Sequence, residues 1–232
     1  MMLSKLKQAL LGTTLVLSSL VMQVNAQSSS PRRITVDPSS TTNSGTSFST
    51  IKMAVDSSRD RDTIIVKEGT YKEKIIVGGS KRLVFASEFL LDGVKTHINN
   101  TIISGGGITQ NSLNDVLFGA FGDTYDSTYF RFVGFTIDSA AKYGMEVRGG
   151  LVTDCIFKNS GSTTTVPFYF QGTYLRNITV FNNIGTAIIA FNGVGAQNIN
   201  APYAVIENGL FYNNRGVSSN QNETILCLKE NL

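Results

Sequence analysis

Four short segments of the sequence repeat one pattern: GFTIDSA (134–140), DCIFKNS (154–160), NITVFNN (177–183) and NGLFYNN (208–214). In each, two apolar positions are separated by one residue, and a small polar residue follows two positions later. The first apolar position reads Phe135, Cys155 and Ile178, with Gly209 in the last segment. The second reads Ile137, Phe157, Val180 and Phe211, and the polar position reads Ser139, Asn159, Asn182 and Asn213. Successive steps are 20, 23 and 31 residues. A second series keeps the same period: GMEVRGG, PFYFQGT and IIAFNGV each close a strand-like stretch on a glycine, at Gly149, Gly172 and Gly193. Two strand types recurring at one period mean that each repeat carries more than one strand.

A period near 22 residues, with several strands and almost no helix, points to parallel strands stacked as a solenoid. The competing architecture is an antiparallel sandwich, which needs turn signals every 8–12 residues or so. Like aligns with like across these repeats, and two-residue Asn-Gly hairpin loops flanked by alternating strands are scarce, so the solenoid is favoured. Stacked strands lie about 4.8 Å apart. At that spacing a column of asparagines inside the coil is a structural device. Asparagine tolerates left-handed backbone angles and bonds to main chain or to the next asparagine.

The stretch RDTIIVKEGTYKEKIIV (61–77) has two apolar runs flanking Lys67-Glu68-Gly69-Thr70. On the solenoid reading Ile64 and Val66 face the core, Glu68-Gly69-Thr70 turns a corner, and Ile75 and Val77 line the next face. Just before it, SFSTIKMAVDSSRD (47–60) sets Phe48, Ile51, Ala54 and Val55 at helical spacing, with Ser47 or Ser49 as N-cap. This helix, around residues 49–57, is expected to cover the N-terminal end of the stack, where strand edges would otherwise lie open.

The chain starts differently. Lys5 and Lys7 precede an apolar run from Ala9 to Val21, and Val24-Asn25-Ala26 is a small-residue cleavage site. These are the parts of a secretory signal peptide. An anchor helix is the alternative, but Gly12, Thr13, Thr14, Ser18 and Ser19 interrupt the run, and spanning takes about 20 apolar residues. The expected organisation is a signal peptide at 1–26, a Ser/Thr-rich leader at 27–47 and a β-helix domain at 48–232. The expected location is outside the cell, at its surface or in a periplasm. No stable membrane span is expected.

Cleavage would remove two of the 20 basic residues and none of the 17 acidic ones, leaving 18 against 17. Without a basic cluster beyond Arg32-Arg33, nucleic acid is not an expected partner. The two cysteines, Cys155 and Cys227, make no disulfide framework, and Cys155 reads as a buried small hydrophobe. His97 is the only histidine. Ser-His-Asp, Cys-His and His-metal chemistry, each of which needs an imidazole, are therefore not expected, and no Cys or His cluster has zinc spacing.

AVDSSRDRDTIIVKEGTYKEKIIV (54–77) resembles the opening of secreted right-handed parallel β-helix proteins of the pectin-lyase-like superfamily, of the kind exported by Bacteroidetes-type bacteria. These commonly read as a short helix, then Gly-Asp-Thr, two or three β-branched residues, Gly-Thr-Tyr and a Glu. Here Arg61 stands where that glycine would be. KRLVFASEFLLDGVKTHINNTIISGGG (81–107) is similar to the segment that follows in such proteins. The resemblance covers roughly residues 34–216 and implies an all-β fold, a right-handed parallel β-helix with a short N-terminal capping helix. It leaves activity open, because the superfamily hosts lyases, hydrolases, esterases, adhesins and inert spacers.

The resemblance also supplies candidate chemistries. Gly69-Thr70-Tyr71-Lys72-Glu73 matches a Gly-x-Tyr-x-Glu of pectin methylesterases, and DVLFG (115–119) is similar to their catalytic strand, which would make Asp115 a nucleophile. The accompanying Gln-Asp-Thr-Leu is missing, and an Arg-Pro-Trp is impossible in a chain with no Trp. The paired-carboxylate motifs of polygalacturonases are also missing. Asp123 and Asp126, in GDTYDSTY, suit a turn or a weak calcium contact. No complete catalytic set can be assembled.

The second series offers a surface instead. With Met145, Val147, Phe168, Phe170, Ile189 and Phe191 inward, the outward columns are Glu146–Tyr169–Ala190 and Arg148–Gln171–Asn192. A tyrosine face, an arginine fork and two amides on one flat surface suit a sugar chain bearing acids. Glu146, Arg148, Tyr169, Gln171 and Asn192 are therefore the candidate substrate-binding residues, and an ordinary solvated sheet face is the alternative. The expected function is an exported domain that binds polysaccharide or a cell-envelope glycan without catalysis of its own and without a cofactor. The second reading is a polysaccharide lyase acting on acidic glycans, which would call for calcium. Near the C-terminus, Ile225, Leu226 and Leu228 read as one more strand with nothing after it. An uncapped last coil is expected to favour self-association.

Overall fold

The computed structural model describes residues 30–78, 81–111, 115–121, 130–192, 205–217 and 226–229. The chain begins with β1 (Arg33–Val36), β2 (Ser47–Phe48) and helix α1 (Ile51–Ser57). Then come β3 (Thr63–Val66), β4 (Gly69–Tyr71), β5 (Ile75–Val77) and β6 (Val84–Ser87). Two short helices, α2 (Phe89–Asp92) and α3 (Thr96–Asn100), lead into β7 (Thr101–Ser104), β8 (Phe118–Phe121), β9 (Arg131–Val133) and β10 (Thr136–Asp138). The rest comprises β11 (Met145–Lys158), β12 (Phe168–Phe181), β13 (Ile184–Gly185), β14 (Ile189–Asn192), β15 (Val205–Tyr212), β16 (Arg215–Gly216) and β17 (Leu226–Lys229). Among the described residues every strand pair is parallel, and the one antiparallel contact is an isolated bridge between Ser44 and Ser47.

The register sorts most strands into three ladders, with β13 and β16 a separate parallel pair and β2 beside β1. The first stacks Ile34, Ile64, Phe85, Phe132, Val152, Leu175 and Ile206. The second stacks Tyr71, Ile103, Ile137, Phe157, Val180 and Phe211. In the third, Ile75, Phe118, Met145, Phe168 and Ile189 form one column and Val77, Ala120, Val147, Phe170 and Phe191 the next. From Thr63 onward the chain visits first, second and third ladders in that order and then starts again. This order is compatible with a parallel β-helix. The inward columns are buried together in one cluster, against which the partly buried Ile206 and Phe211 pack, and the rings of Phe85, Phe132 and Phe135 lie 4.6–5.5 Å apart. Cys155 is among them, as expected of a small hydrophobe; burial pushes its thiol up to about 12.

Left-handed residues make the corners. Gly134, Asp154, Asn177 and Asn208, with φ between 52° and 80°, turn the chain from the first ladder to the second. Ser139, Asn159, Asn182 and Asn213, with φ between 51° and 56°, end the second. Short polar side chains are the non-glycine residues that tolerate this region best. The column expected inside the coil, Asn159–Asn182–Asn213, is therefore an exposed corner column. The internal one lies a residue further on, at Ser160–Asn183–Asn214. Asn183 is 2% exposed; it accepts from the Ser160 amide at 2.9 Å and donates to the Phe157 carbonyl and to Asn214 Oδ1, both at 3.0 Å. A buried polar side chain survives here because its bonds satisfy backbone groups that the corner leaves unpaired.

Three further expectations change at the N-terminal end. Ile34-Thr35-Val36, placed in the leader, is strand β1 and pairs with β3, and the compact unit starts at Pro31. The N-cap of α1 is Thr50, not Ser47 or Ser49: its hydroxyl accepts from the Met53 amide at 3.3 Å. Gly69 and Thr70 are not merely a corner but belong to β4, a second-ladder strand, so Ile75 and Val77 line the third ladder. Helix α1 buries Ile51, Ala54 and Val55 and packs on β1, β2, β3 and β5, the first rungs of two ladders. At the other end, β17 continues the third ladder beside β14. The signal-peptide reading of residues 1–26 lies outside the described residues, and so do Asp123 and Asp126. Among the described residues no helix is long and apolar enough to cross a membrane.

Candidate functional site

Strand alternation puts every second residue of the opening stretches of β11 (145–148) and β12 (168–171) on the outer face of the third ladder. Glu146 therefore lies beside Tyr169, and Arg148 beside Gln171. One rung earlier, Gly119 and Phe121 of β8 occupy the same two columns. One rung later come Ala190 and Asn192 of β14. Four of the five expected residues thus share one face, and the register sets Asn192 at the next position of Arg148's column.

The structure joins Glu146 and Arg148 directly. Arg148 Nε and Nη2 both donate to Glu146 Oε1, at 3.0 and 2.8 Å. The Arg148 guanidinium also lies over the Phe121 ring, 5.1 Å from its centroid, which adds a cation–π attraction. The Glu146 side chain is only 11% exposed, while that of Arg148 is 42% exposed. A carboxylate this buried is stable only with such a partner. The arginine fork expected to await an acidic sugar is therefore already engaged.

Glu146, Arg148 and Tyr169 line a cleft of about 350 Å³ together with Tyr143, Thr165 and Val166. Gln171 and Asn192 lie on the same ladder, in the column of Arg148, beyond the described lining of that cleft. Tyr143 was not legible as a site residue, because it sits in the turn before β11. Buried Gln110 sets that turn: its amide donates to the Tyr143 carbonyl at 2.6 Å and accepts from the Lys142 and Tyr143 amides. Phe121 was missed because its segment lies outside the repeated series, although it occupies Arg148's column.

The esterase-like residues serve the fold. Asp115 is ion-paired with Lys74 and accepts from the Asn111 amide at 2.8 Å; the Lys74 bond holds its carboxyl below the usual range. Tyr71 is buried and its hydroxyl donates to the Lys67 carbonyl at 2.9 Å. Glu73 accepts from the Ile51 and Lys52 amides, at 3.1 and 2.9 Å, and so closes the N-terminus of α1. His97 lies between Glu68, at 2.7 Å, and Asp92, at 3.1 Å. No group of three or more His, Cys, Asp or Glu among the described residues is placed to hold a metal. No protein-family model matches the chain, and no curated protein matches its sequence.

Proposed function

We propose that this chain is an exported right-handed parallel β-helix of the pectin-lyase-like kind that binds polysaccharide or a cell-envelope glycan on its third ladder, without breaking bonds. The observation that carries the reading is the cleft lined by Glu146, Arg148 and Tyr169 of the third ladder and by Tyr143 of the turn before β11. Sugars are held by aromatic rings against their C–H faces and by planar polar groups that bond their hydroxyls. Pairing of Arg148 with Glu146 and of Asp115 with Lys74 leaves both in structural or binding roles. The cyclic strand order and the recurring corner residues support the β-helix, and the N-terminal pattern at residues 5–26 supports export to the surface or periplasm.

Native affinity electrophoresis of the mature chain, in gels cast with a panel of soluble polysaccharides, tests the reading. At least one polymer should retard the protein, and Tyr169→Ala should abolish the retardation while the far-UV circular dichroism stays unchanged. Uronate polymers incubated with the protein and calcium should give no rise in absorbance near 235 nm. A rise lost in Arg148→Ala would replace the binding reading with a lyase.

A further inference from the structure

Resting on the glycan-binding reading above, we infer that the third-ladder cleft takes neutral sugars and discriminates against uronates. The argument is one of charge. Glu146 and Arg148 are the only charged side chains among the described residues lining the cleft, and they neutralise each other. Two donors of the guanidinium are spent on one carboxylate oxygen, and Phe121 holds its face. A uronate carboxylate brought into the cleft would meet a cation that is already satisfied and an anion that repels it. To pair with Arg148 it would have to displace Glu146 and leave that largely buried carboxylate alone, which is costly.

A neutral pyranose faces no such conflict. Glu146 and Arg148 present acceptor and donor edges side by side, the complement of two vicinal hydroxyls. One hydroxyl can donate to the carboxylate while its neighbour accepts from a remaining guanidinium N–H. Tyr143, Tyr169 and Val166 supply aromatic and apolar surface for the C–H face of the ring. The Glu–Arg pair is then the recognition element itself, and the sequence places its two members two residues apart on one strand face.

Affinity electrophoresis with separate neutral and acidic arms tests this. Galactomannan and mixed-linkage β-glucan serve as neutral polymers; polygalacturonate and alginate serve as acidic ones. For the wild-type chain a neutral polymer should give half-maximal retardation at a concentration at least about tenfold lower than either uronate polymer, since mismatched charge at a site ordinarily costs that much or more. Glu146→Gln frees the arginine and should gain salt-sensitive retardation by polygalacturonate, whereas Arg148→Gln should not. Circular dichroism checks that the variants fold, and the wild-type comparison decides the matter even if Glu146→Gln does not. Tighter retention by polygalacturonate or alginate would overturn the neutral-sugar inference and leave glycan binding intact. No retention by any polymer would remove both.

Discussion

Asn182 and Asn183 are neighbours of identical composition that the fold sets to different tasks. Asn183→Ala removes the acceptor of the Ser160 amide and the donor to the Phe157 carbonyl, both buried, and leaves Asn214 Oδ1 without this contact. Each buried backbone group left unpaired costs about 1–3 kcal/mol, so the loss should be roughly 2–6 kcal/mol. For a domain near 200 residues each kcal/mol lowers Tm by about 2–4 °C, which gives a drop of roughly 4–24 °C. Asn182 is exposed at φ 56°, and its amide oxygen accepts from Asn213 at the surface. Asn182→Gly keeps the left-handed corner at no steric cost and should shift stability by no more than about 0.5 kcal/mol. Thermal melts followed by circular dichroism would compare the two. If Asn182→Gly were the more damaging change, the assignment of the internal column would be off by one residue and the argument wrong.

Other expectations follow from the same contacts. Arg61 sits at φ 68°, a conformation costing a non-glycine residue about 1–2 kcal/mol, so Arg61→Gly should leave Tm unchanged or raise it by a few degrees after the unfolded-state entropy of glycine is counted; a clear fall in calorimetry would refute this. Asp37 and Asp60 are drawn down to about 2, chiefly by hydrogen bonds from Lys67 and Arg82 respectively. Burial works to raise Asp62, but bonds from Arg32 and Arg59 prevail and lower it. Depressed carboxylates stabilise fully above their ordinary value of 3.8 and lose that contribution as pH falls through their folded values, so Tm should hold between about pH 6 and 4.5 and decline between 4 and 2. Burial disfavours the charged form of His97, yet the bonds to Asp92 and Glu68 outweigh it and raise its pKa. Its stabilising contribution is complete below 6.5 and lost as pH rises through the raised value, and a proton NMR titration of the single histidine should give a midpoint above 6.5; a midpoint at or below it would contradict the clasp.

The inward columns were legible because period and alternation agree: Met145, Phe168 and Ile189 recur with the same neighbours, and only one face of a strand can hold them. The corners were legible as asparagines. What could not be read was which of two adjacent polar residues turns inward, since Asn182-Asn183 and Asn213-Asn214 look alike and differ only in backbone angle. Strand β1 was hidden by its Ser- and Thr-rich surroundings, because a four-residue strand gains its stability from pairing with β3 and not from its own composition. Arg61 obscured a corner where the resembling proteins carry glycine. At the site, the shared face of Glu146, Arg148, Tyr169 and Gln171, with Asn192 in register beside them, followed from alternation alone. The Glu146–Arg148 pair was not legible: the two residues stand two apart on one face, but long side chains choose partners by geometry that spacing does not give. Tyr143 and Phe121 lie in segments where the repeat lapses.

The candidate site exists only if successive passes of the chain add one rung to each ladder. Outward positions of the second ladder measure this directly: Thr70 pairs with Ile102, then Thr136, Ile156, Thr179 and Leu210 follow rung by rung. Thr179 is four steps from Thr70 and Leu210 is five, so at about 4.8 Å per step the Cα separations should be about 19 and 24 Å. Spin labels at Thr70 and Thr179, and at Thr70 and Leu210, in a chain carrying Cys227→Ser, can be read by double electron–electron resonance. The ladder account predicts that the second pair is farther apart than the first by one strand spacing, with means near those values. Equal distances, or a shorter distance for the pair that includes Leu210, would contradict it.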